Sequence, residues 1–314
     1  MRRVAAIDCG TNSIRLLVAD LDGERSVLTE LAREMRIVRL GEGVDRTGRL
    51  APAALDRTMA ALGEYAGQVS RLAPEAVRMV ATSATRDAEN AAEFTSRVKE
   101  VLGVAPEVVT GQEEARLSFT GATRELAAGP AGGPFLVTDI GGGSTELVLG
   151  DRGNGDGAGT VTGTSVNIGC VRMTERHLHG DPPTAAQVAA AAADIDAALD
   201  LAAASVPVAG ARTLVGLAGS VTTVAGIALG LAEYDSGRIH HSRVSAGAVH
   251  EIATRLLAQT RAERAAIGVM HPGRVDVIGA GALILDRIMT RFAFGEVLVS
   301  EHDILDGIAW SLAA

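Results

Sequence analysis

Carboxylates, glycines and a hydroxyl group lie close together in one stretch of the chain, Val137 to Asp151. An apolar run leads into Asp139, three glycines and Ser144 follow, and Glu146 lies in a second apolar run. This pattern predicts a strand, a tight turn and a second strand. Glycine lets a ligand approach the backbone closely, and successive N–H groups in such a turn suit a phosphate. The alternative interpretation is an ordinary hairpin that binds nothing.

The same arrangement occurs a second time, near the start of the chain. Residues Ala6 to Asp20 align with the later stretch without a gap, so that Asp8 corresponds to Asp139 and Ser13 to Ser144. Internal similarity is a fold-level signal, and two such hairpins suggest two related domains that face each other across a cleft. This layout resembles the actin-like ATPase superfamily. The resemblance implies two α/β, ribonuclease-H-like domains with mixed five-stranded sheets flanked by helices, and an active site in the cleft.

Length and composition limit the class of protein. The chain has 314 residues, of which 47% are hydrophobic, and this length suggests about two globular domains. The net charge of −9 argues against a nucleic-acid-binding surface. Cys9 and Cys170 are too few for a disulfide framework, so we expect two small buried residues. Neither a secretory signal nor a membrane span is recognisable, which predicts a cytoplasmic protein without a membrane partner.

Periodicity and turn residues divide the chain into two similar halves. We expect an N-terminal domain over residues 1–128 and a C-terminal domain over residues 134–302. A final helix at about 303–314 is expected to pack back on the first domain. The Gly/Pro-rich segment at 129–133 is the expected boundary, and the Gly-rich segment at 153–159 is expected to form a flexible loop.

Two helix starts in the first half carry further residues suited to phosphate chemistry. The Ser/Thr-rich turn at 82–85 opens a predicted helix that runs to about Leu102, and it offers hydroxyls and free N–H groups. Arg86 beside it could hold an anion, although a capping segment with a surface arginine is the simpler interpretation. Glu113 and Glu114 lie in the first turn of the next helix, where acids also interact favourably with the helix dipole.

Two basic segments allow a functional and a structural interpretation. The loop after the predicted strand Ser26 to Arg33 carries several arginines and glycines, and it is either a mobile basic flap or a solvated surface loop. His240 and His241, with Arg238 and Arg243 nearby, could form a metal or phosphate patch. No further ligand at helical spacing supports a metal site, which favours a polar loop.

Four motifs of this chain occur in the order typical of one family, and two further segments accompany them: Ile7–Ser13, Ala81–Arg86, Gly111–Arg116, Asp139–Leu147, Asn167–Arg172 and Gly216–Thr223. They resemble the exopolyphosphatase / guanosine pentaphosphate phosphohydrolase family over essentially the whole chain. Long members carry a C-terminal helical region, and the chain resembles the short, two-domain members that lack it. Cys9 and Thr11 stand where many relatives have Leu and Ser, which leaves the chemistry of the turn intact.

The resemblance implies hydrolysis of a terminal phosphoanhydride bond of inorganic polyphosphate, with release of orthophosphate. Glu114 matches the family's catalytic glutamate, which positions or deprotonates the attacking water, and Glu113 is the alternative. Asp139 and Glu146 would hold Mg²⁺ (or Mn²⁺) directly or through waters, and Asp8 is the equivalent acid in the first domain. The implied phosphate-binding residues are Gly10, Thr11, Asn12, Ser13, Arg86, Gly141, Gly142, Gly143 and Ser144.

Other functions stay open at this point. The chain could act on guanosine penta- or tetraphosphate, or it could bind polyphosphate or a nucleotide as a sensor without catalysis. A small-molecule kinase of the same fold would need an adenosine pocket, for which the turn Gly219 to Thr223 is the candidate. The missing helical region predicts a preference for short polyphosphates. Analogy with the family also suggests a homodimer.

Overall fold

The computed structural model describes residues 1–23, 27–126, 132–151 and 161–313. The chain forms two compact units. Unit 1 consists of Met1–Gly121 and Ile304–Ala314, and unit 2 of Ala122–Asp303. The segment predicted as a flexible loop at 153–159 lies outside the described residues, as does most of the predicted boundary at 129–133.

Each unit contains one mixed sheet. The strands in chain order are β1 (Arg2–Cys9), β2 (Ser13–Asp22), β3 (Val27–Ile37), β4 (Ala76–Ala81), β5 (Glu107–Val108), β6 (Phe135–Ile140), β7 (Thr145–Gly150), β8 (Val161–Val166), β9 (Thr213–Leu217), β10 (Arg243–Ser245) and β11 (Glu296–Val299). The spatial order is β3-β2-β1-β4-β5 in unit 1 and β10-β11-β9-β6-β7-β8 in unit 2.

The two sheets share one topology. In unit 1, β1 pairs antiparallel with β2 and parallel with β4, and β6 of unit 2 pairs in the same way with β7 and β9. The series β8-β7-β6-β9-β11 therefore repeats the five-stranded order of unit 1, and β10 adds a sixth strand antiparallel to β11. The predicted pair of α/β domains is confirmed, with one strand more than expected in the second sheet.

Thirteen α-helices accompany these strands in the described part of the chain. They are α1 (Val44–Thr47), α2 (Pro52–Leu72), α3 (Ser83–Arg86), α4 (Ala91–Leu102), α5 (Gly111–Thr123), α6 (Cys170–His177), α7 (Ala185–Ser205), α8 (Ala218–Ala228), α9 (Ser236–Ile239), α10 (Ala246–Ala258), α11 (Arg261–Ala265), α12 (Ile278–Arg291) and α13 (Ile304–Trp310). Within that part of the chain, no helix has the length and apolar character needed to cross a membrane.

Strand β1 lies at the centre of unit 1 and buries both of its faces. Ala5 and Ile7 belong to an apolar cluster that includes residues of α2, whereas Val4 and Ala6 belong to a second cluster that includes Ile308 of α13. Alternating side chains of a strand point to opposite faces of its sheet, so packing on both sides fixes β1 firmly. The carboxyl end of β1, with its turn, is therefore held by a packed core.

The helix predicted from the turn at residue 82 to about Leu102 is interrupted. Helix α3 ends at Arg86 and α4 begins at Ala91. Between them, the side chain of Asn90 accepts a hydrogen bond from the N–H of Leu50 (2.8 Å) and donates one to the carbonyl of Leu50 (3.1 Å). Because this long-range contact holds Asn90 outside helical geometry, the prediction of one continuous helix was wrong.

Candidate active site

In unit 2, the antiparallel hairpin β6–β7 places two buried acids side by side. Asp139 is the register partner of Glu146, and their exposed fractions are 7% and 1%. Directly opposed residues have Cβ atoms about 4.5–5.5 Å apart, and like charges at that separation repel. A cation relieves this repulsion, and oxygen donors of this kind fit Mg²⁺ or Mn²⁺.

The neighbouring strand β8 extends this row of oxygen atoms. Ser165 is the register partner of Glu146, and its hydroxyl donates a hydrogen bond of 2.7 Å to Glu146 Oε1. Three adjacent strands thus place Asp139, Glu146 and Ser165 in one line across the sheet. The hydrogen bond orients the Glu146 carboxylate and leaves its charge in place.

The glycine turn at the end of this hairpin is supported from behind by helix α6. Gly141 N–H closes the turn on Ser144 O at 3.0 Å. The N–H groups of Cys170 and Val171 donate to the carbonyls of Gly141 and Gly142, both at 2.9 Å. The carbonyls of Gly141 and Gly142 are therefore satisfied by the start of α6.

The equivalent hairpin of unit 1 differs opposite its aspartate. Asp8 of β1 is the register partner of Arg15 of β2, and Arg15 donates to Asp8 Oδ2 from Nε (3.0 Å) and from Nη2 (2.7 Å). The side chains are 6% and 20% exposed. This ion pair neutralises the carboxylate that the sequence suggested as a third metal ligand. A metal role for Asp8 stays a prediction, and it is one that the pairing does not favour.

The turn of unit 1 is also supported from behind, here by the segment that follows β3. The N–H groups of Val38 (3.0 Å) and Arg39 (2.9 Å) donate to the carbonyl of Asn12, and that of Gly41 donates to Thr11 O at 2.9 Å. The hydroxyl of Thr11 also lies 2.9 Å from the Ser83 hydroxyl. The turn between β1 and β2 is thereby fixed to the start of α3.

Arg86 and Glu114 form an ion pair next to this turn region. Arg86 Nη1 donates to Glu114 Oε2 at 2.9 Å and to the carbonyl of Val109 at 3.0 Å. Glu114 is 7% exposed. Among the described residues, no protein acceptor faces Nε or Nη2 of Arg86, so these groups can bind an anion. One guanidinium can therefore orient the carboxylate and contact a phosphate at the same time.

Glu113 lies in a different environment from its neighbour. It is exposed, and its Oε1 accepts a hydrogen bond of 2.8 Å from Nη2 of Arg78. The same Nη2 of Arg78 donates to Glu107 at 2.7 Å. Adjacent residues of a helix point in different directions, so only Glu114 contacts Arg86.

The basic segment that allowed two interpretations has acidic partners. Arginines of the predicted basic flap form ion pairs with acids: Arg33 with Glu30 and Asp306, Arg36 with Glu34 and Glu64, and Arg49 with Glu89.

Cys9 and Cys170 are buried and not cross-linked, as expected. Burial raises the pKa of both thiols.

His240 contacts two residues that are distant in sequence, Glu125 and His302. Oε2 of Glu125 lies 3.4 Å from His240 Nε2 and 3.4 Å from His302 Nδ1. These donor atoms could in principle hold a metal. However, Nδ1 of His240 accepts the N–H of Glu301 at 3.1 Å, so Nε2 carries the proton of the neutral ring. Burial, with His241 and His302 nearby, lowers the pKa of His240 to about 4, which keeps this ring neutral.

Sequence reasoning missed three polar residues of these hairpins, namely Arg15, Ser165 and Arg172. Arg15 could have been found, because the internal alignment places it at the position of Glu146. Ser165 depends on strand register, for which no local pattern gives a signal. Arg172 lies in the family-like segment Asn167–Arg172, but its contact depends on the position of α6.

Comparison with known proteins identifies the family of the chain. A model of the Ppx/GppA phosphatase family matches residues 17–313. The chain belongs to this family.

Individual members of the Ppx/GppA family resemble the chain along its whole length. Exopolyphosphatase 2 of Mycobacterium tuberculosis is 50% identical over 324 residues, which cover 100% of this chain and 99% of the relative. A guanosine-5'-triphosphate,3'-diphosphate pyrophosphatase of Aeromonas salmonicida is 29% identical, over 98% of this chain and 59% of the relative. The crystal structure of an exopolyphosphatase-like protein superposes with a TM-score of 0.92 at 43% identity, over 99% of this chain and 97% of that one.

Proposed function

We propose that the protein is an exopolyphosphatase, which hydrolyses the terminal phosphoanhydride bond of inorganic polyphosphate and releases orthophosphate. The observation that carries this proposal is the buried Asp139–Glu146 pair beside a glycine turn. Opposed carboxylates suit a divalent cation, and the turn suits a phosphate. Hydrolysis of a polyanion needs both, because charge on the transferred phosphoryl group must be neutralised.

The chemistry in unit 1 is assigned to Glu114 and Arg86. Glu114 accepts a hydrogen bond from the attacking water and takes its proton as the water adds to the terminal phosphorus. Arg86 binds an oxygen of that phosphate through Nε or Nη2 while Nη1 holds Glu114. The bond to the bridging oxygen then breaks, and the shortened polyphosphate leaves with that oxygen. Glu113 has no part in this step because it is bound to Arg78.

Phosphate binding is assigned to the backbone of the two turns. The residues are Gly10, Thr11, Asn12 and Ser13 in unit 1, and Gly141, Gly142, Gly143 and Ser144 in unit 2. The carbonyls that bond to the protein behind the turns are those of Thr11, Asn12, Gly141, Gly142 and Gly143. A peptide group has its N–H opposite its C=O, so the N–H group that follows each of these carbonyls points to the other side, towards the ligand. The N–H groups of Gly10 and Gly141 instead close their own turns on the carbonyls of Ser13 and Ser144.

A divalent cation, Mg²⁺ or Mn²⁺, would be held by Asp139 and Glu146. When bound, it supplies positive charge to the oxygens of the substrate and so lowers the barrier to hydrolysis. The hydrogen bond from Ser165 fixes the orientation of the Glu146 carboxylate, which would help this residue to hold such an ion.

Similarity favours polyphosphate over guanosine pentaphosphate as the substrate. The exopolyphosphatase relative is 50% identical and matches over 99% of its length, whereas the guanosine-type relative is 29% identical and matches over 59%.

The test is an orthophosphate-release assay on tripolyphosphate, longer polyphosphates, guanosine pentaphosphate and ATP. Each substrate is offered with Mg²⁺, with Mn²⁺ and with a chelator. We expect release from polyphosphate that depends on the metal. Release from guanosine pentaphosphate alone would assign the other activity of the family. Polyphosphate binding without release under any condition would identify a sensor.

A further inference from the structure

Helix α6 and one of its side chains hold the carbonyls of all three glycines in the turn of unit 2. The N–H groups of α6 bond to two of them, with Arg172 N–H adding a second bond to Gly142 O at 3.1 Å. The third, the carbonyl of Gly143, accepts a hydrogen bond of 2.7 Å from Nε of Arg172. Three consecutive peptide groups are therefore oriented by contacts on the same side.

These contacts determine where the N–H groups of the turn point. Each peptide is planar and trans, so its N–H points away from its C=O. Holding the carbonyl of Gly143 thus directs the N–H of Ser144 to the opposite side, in line with those of Gly142 and Gly143. Among the described residues, no protein acceptor faces the N–H of Gly142 or Gly143. Such a row of N–H groups forms an anion-binding concavity.

We propose that Arg172 is a positioning residue for substrate phosphate. Its guanidinium holds the Gly143 peptide so that the Ser144 N–H points at a phosphate oxygen. The charge of Arg172 also polarises that peptide and strengthens its N–H as a donor. This inference rests on the proposed phosphate-binding role of the turn Gly141 to Ser144.

The competing explanation is that Arg172 only attaches α6 to the sheet. Arg176 provides a matched control, because it lies one turn further along the same helix. Its Nη1 donates to Asp194 at 2.8 Å, away from the glycine turn. Loss of either arginine should weaken the packing of α6, but only loss of Arg172 should alter phosphate binding.

The experiment compares Arg172→Met, Arg172→Lys and Arg176→Met with the wild-type protein. Calorimetry measures binding of a bisphosphonate analogue of pyrophosphate that cannot be hydrolysed, in the presence of Mg²⁺. Steady-state assays on tripolyphosphate give KM and kcat separately, and thermal unfolding gives Tm.

We expect Arg172→Met to weaken binding of the bisphosphonate and to raise KM by about tenfold, the usual value of a hydrogen bond to a charged group. The value of kcat should change less. Arg172→Lys should recover part of the binding, because it keeps the charge and one donor. Arg176→Met should keep wild-type binding and KM even if its Tm falls.

Two results would overturn the inference without affecting the proposed function. One is wild-type binding and KM in Arg172→Met. The other is an equal loss of binding in Arg172→Met and Arg176→Met. If Arg172→Met does not fold, Arg172→Lys takes its place. The lysine amine keeps the charge but cannot reproduce the contact from Nε, so wild-type binding by Arg172→Lys would also count against the inference. A wild-type protein that neither binds the bisphosphonate nor releases phosphate would instead refute the proposed function, and the inference with it.

Discussion

The hairpins β1–β2 and β6–β7 have turns of the same kind, but they differ in the residue opposite the aspartate. In unit 1, Asp8 faces Arg15, and the pair is neutral by itself. In unit 2, Asp139 faces Glu146, so both opposed residues are acidic and suit an external cation. One substitution in a repeated motif thus separates a self-sufficient hairpin from one suited to a metal. We infer that the two units have divided the work, with the metal assigned to unit 2.

The turns also differ in what supports them. Unit 2 uses the start of helix α6 and Arg172, whereas unit 1 uses the backbone N–H groups of Val38, Arg39 and Gly41. Both arrangements bond carbonyls of the turn from behind and direct the N–H groups of the same peptides to the opposite side. A helix start and an extended loop can therefore perform the same task. The shared requirement is a set of donors at the right positions, which different elements can supply.

The assignment of the catalytic base to unit 1 is tested most strongly at Glu114. Glu114→Gln keeps the shape of the side chain but removes the base. At saturating Mg²⁺ we expect kcat to fall by about two to four orders of magnitude, the usual contribution of a general base. Glu113→Gln is the matched control and should keep near-normal kcat, because Glu113 contacts Arg78 at the surface. The reverse ranking of the two variants would move the catalytic role to Glu113.

A substitution at Arg15 would make the hairpin of unit 1 resemble that of unit 2. Arg15→Glu replaces the Asp8–Arg15 ion pair by two opposed carboxylates. Breaking a buried pair costs about 3–5 kcal/mol of stability, and we expect Mg²⁺ to recover part of that loss. Unfolding by denaturant, with Mg²⁺ or a chelator, measures both effects.

Arg3→Glu is the control for Arg15→Glu. Arg3 pairs with Asp20 in the same hairpin, but its side chain is 38% exposed. We expect a smaller loss of stability and no recovery by Mg²⁺. If Arg15→Glu also shows no dependence on Mg²⁺, opposed carboxylates are not sufficient for a metal site, and the explanation given for unit 2 is incomplete.

The dependence of the rate on Mg²⁺ should distinguish the hairpin of unit 2 from that of unit 1 when one acid at a time is replaced. Glu146→Gln removes one carboxylate from unit 2, and we expect the Mg²⁺ concentration for half-maximal rate to rise about tenfold to a hundredfold. Asp8→Asn should leave that concentration unchanged, because Asp8 is neutralised by Arg15. Phosphate release as a function of Mg²⁺ concentration gives both values. A similar shift in Asp8→Asn would restore Asp8 as a metal-binding residue.

The sequence predicts these features unevenly, for physical reasons. The hairpins and their repeat are local patterns of apolar runs and glycines, so they can be recognised without a structure. The change from Glu146 to Arg15 is also visible in the alignment of the repeats. By contrast, the choice between Glu113 and Glu114 depends on Arg78 of β4 and Arg86 of α3, which are distant in sequence.

Support of the turns is the part that sequence reasoning could not provide. The contact of Arg172 with Gly143 spans strands β7 and β8, and that of Gly41 with Thr11 spans the whole of β2 and β3. Such contacts depend on packing between elements. Periodicity describes one element at a time, so it does not reveal them.

The smallest expected effect tests the support of the turn in unit 1. A Cβ at Gly41 would lie 2.3 Å from Cγ2 of Thr11 and 3.1 Å from Cβ of Ala84. Gly41→Ala should therefore push the segment off the turn and cost about 1–3 kcal/mol, the usual penalty for overpacking. Thermal unfolding and KM for tripolyphosphate measure the effect. Gly63→Ala is the control, because its Cβ would meet nothing within 4 Å and alanine favours a helix.

A double variant makes the Gly41 prediction specific. Thr11→Ser removes the methyl group that the new Cβ would meet, but it keeps the hydroxyl that contacts Ser83. We expect Thr11→Ser to recover much of the stability and KM lost in Gly41→Ala, so that the two substitutions are not additive. Additive losses would show that the clash with Thr11 is not the cause. In that case the contact of the new Cβ with Cβ of Ala84 would have to explain the loss.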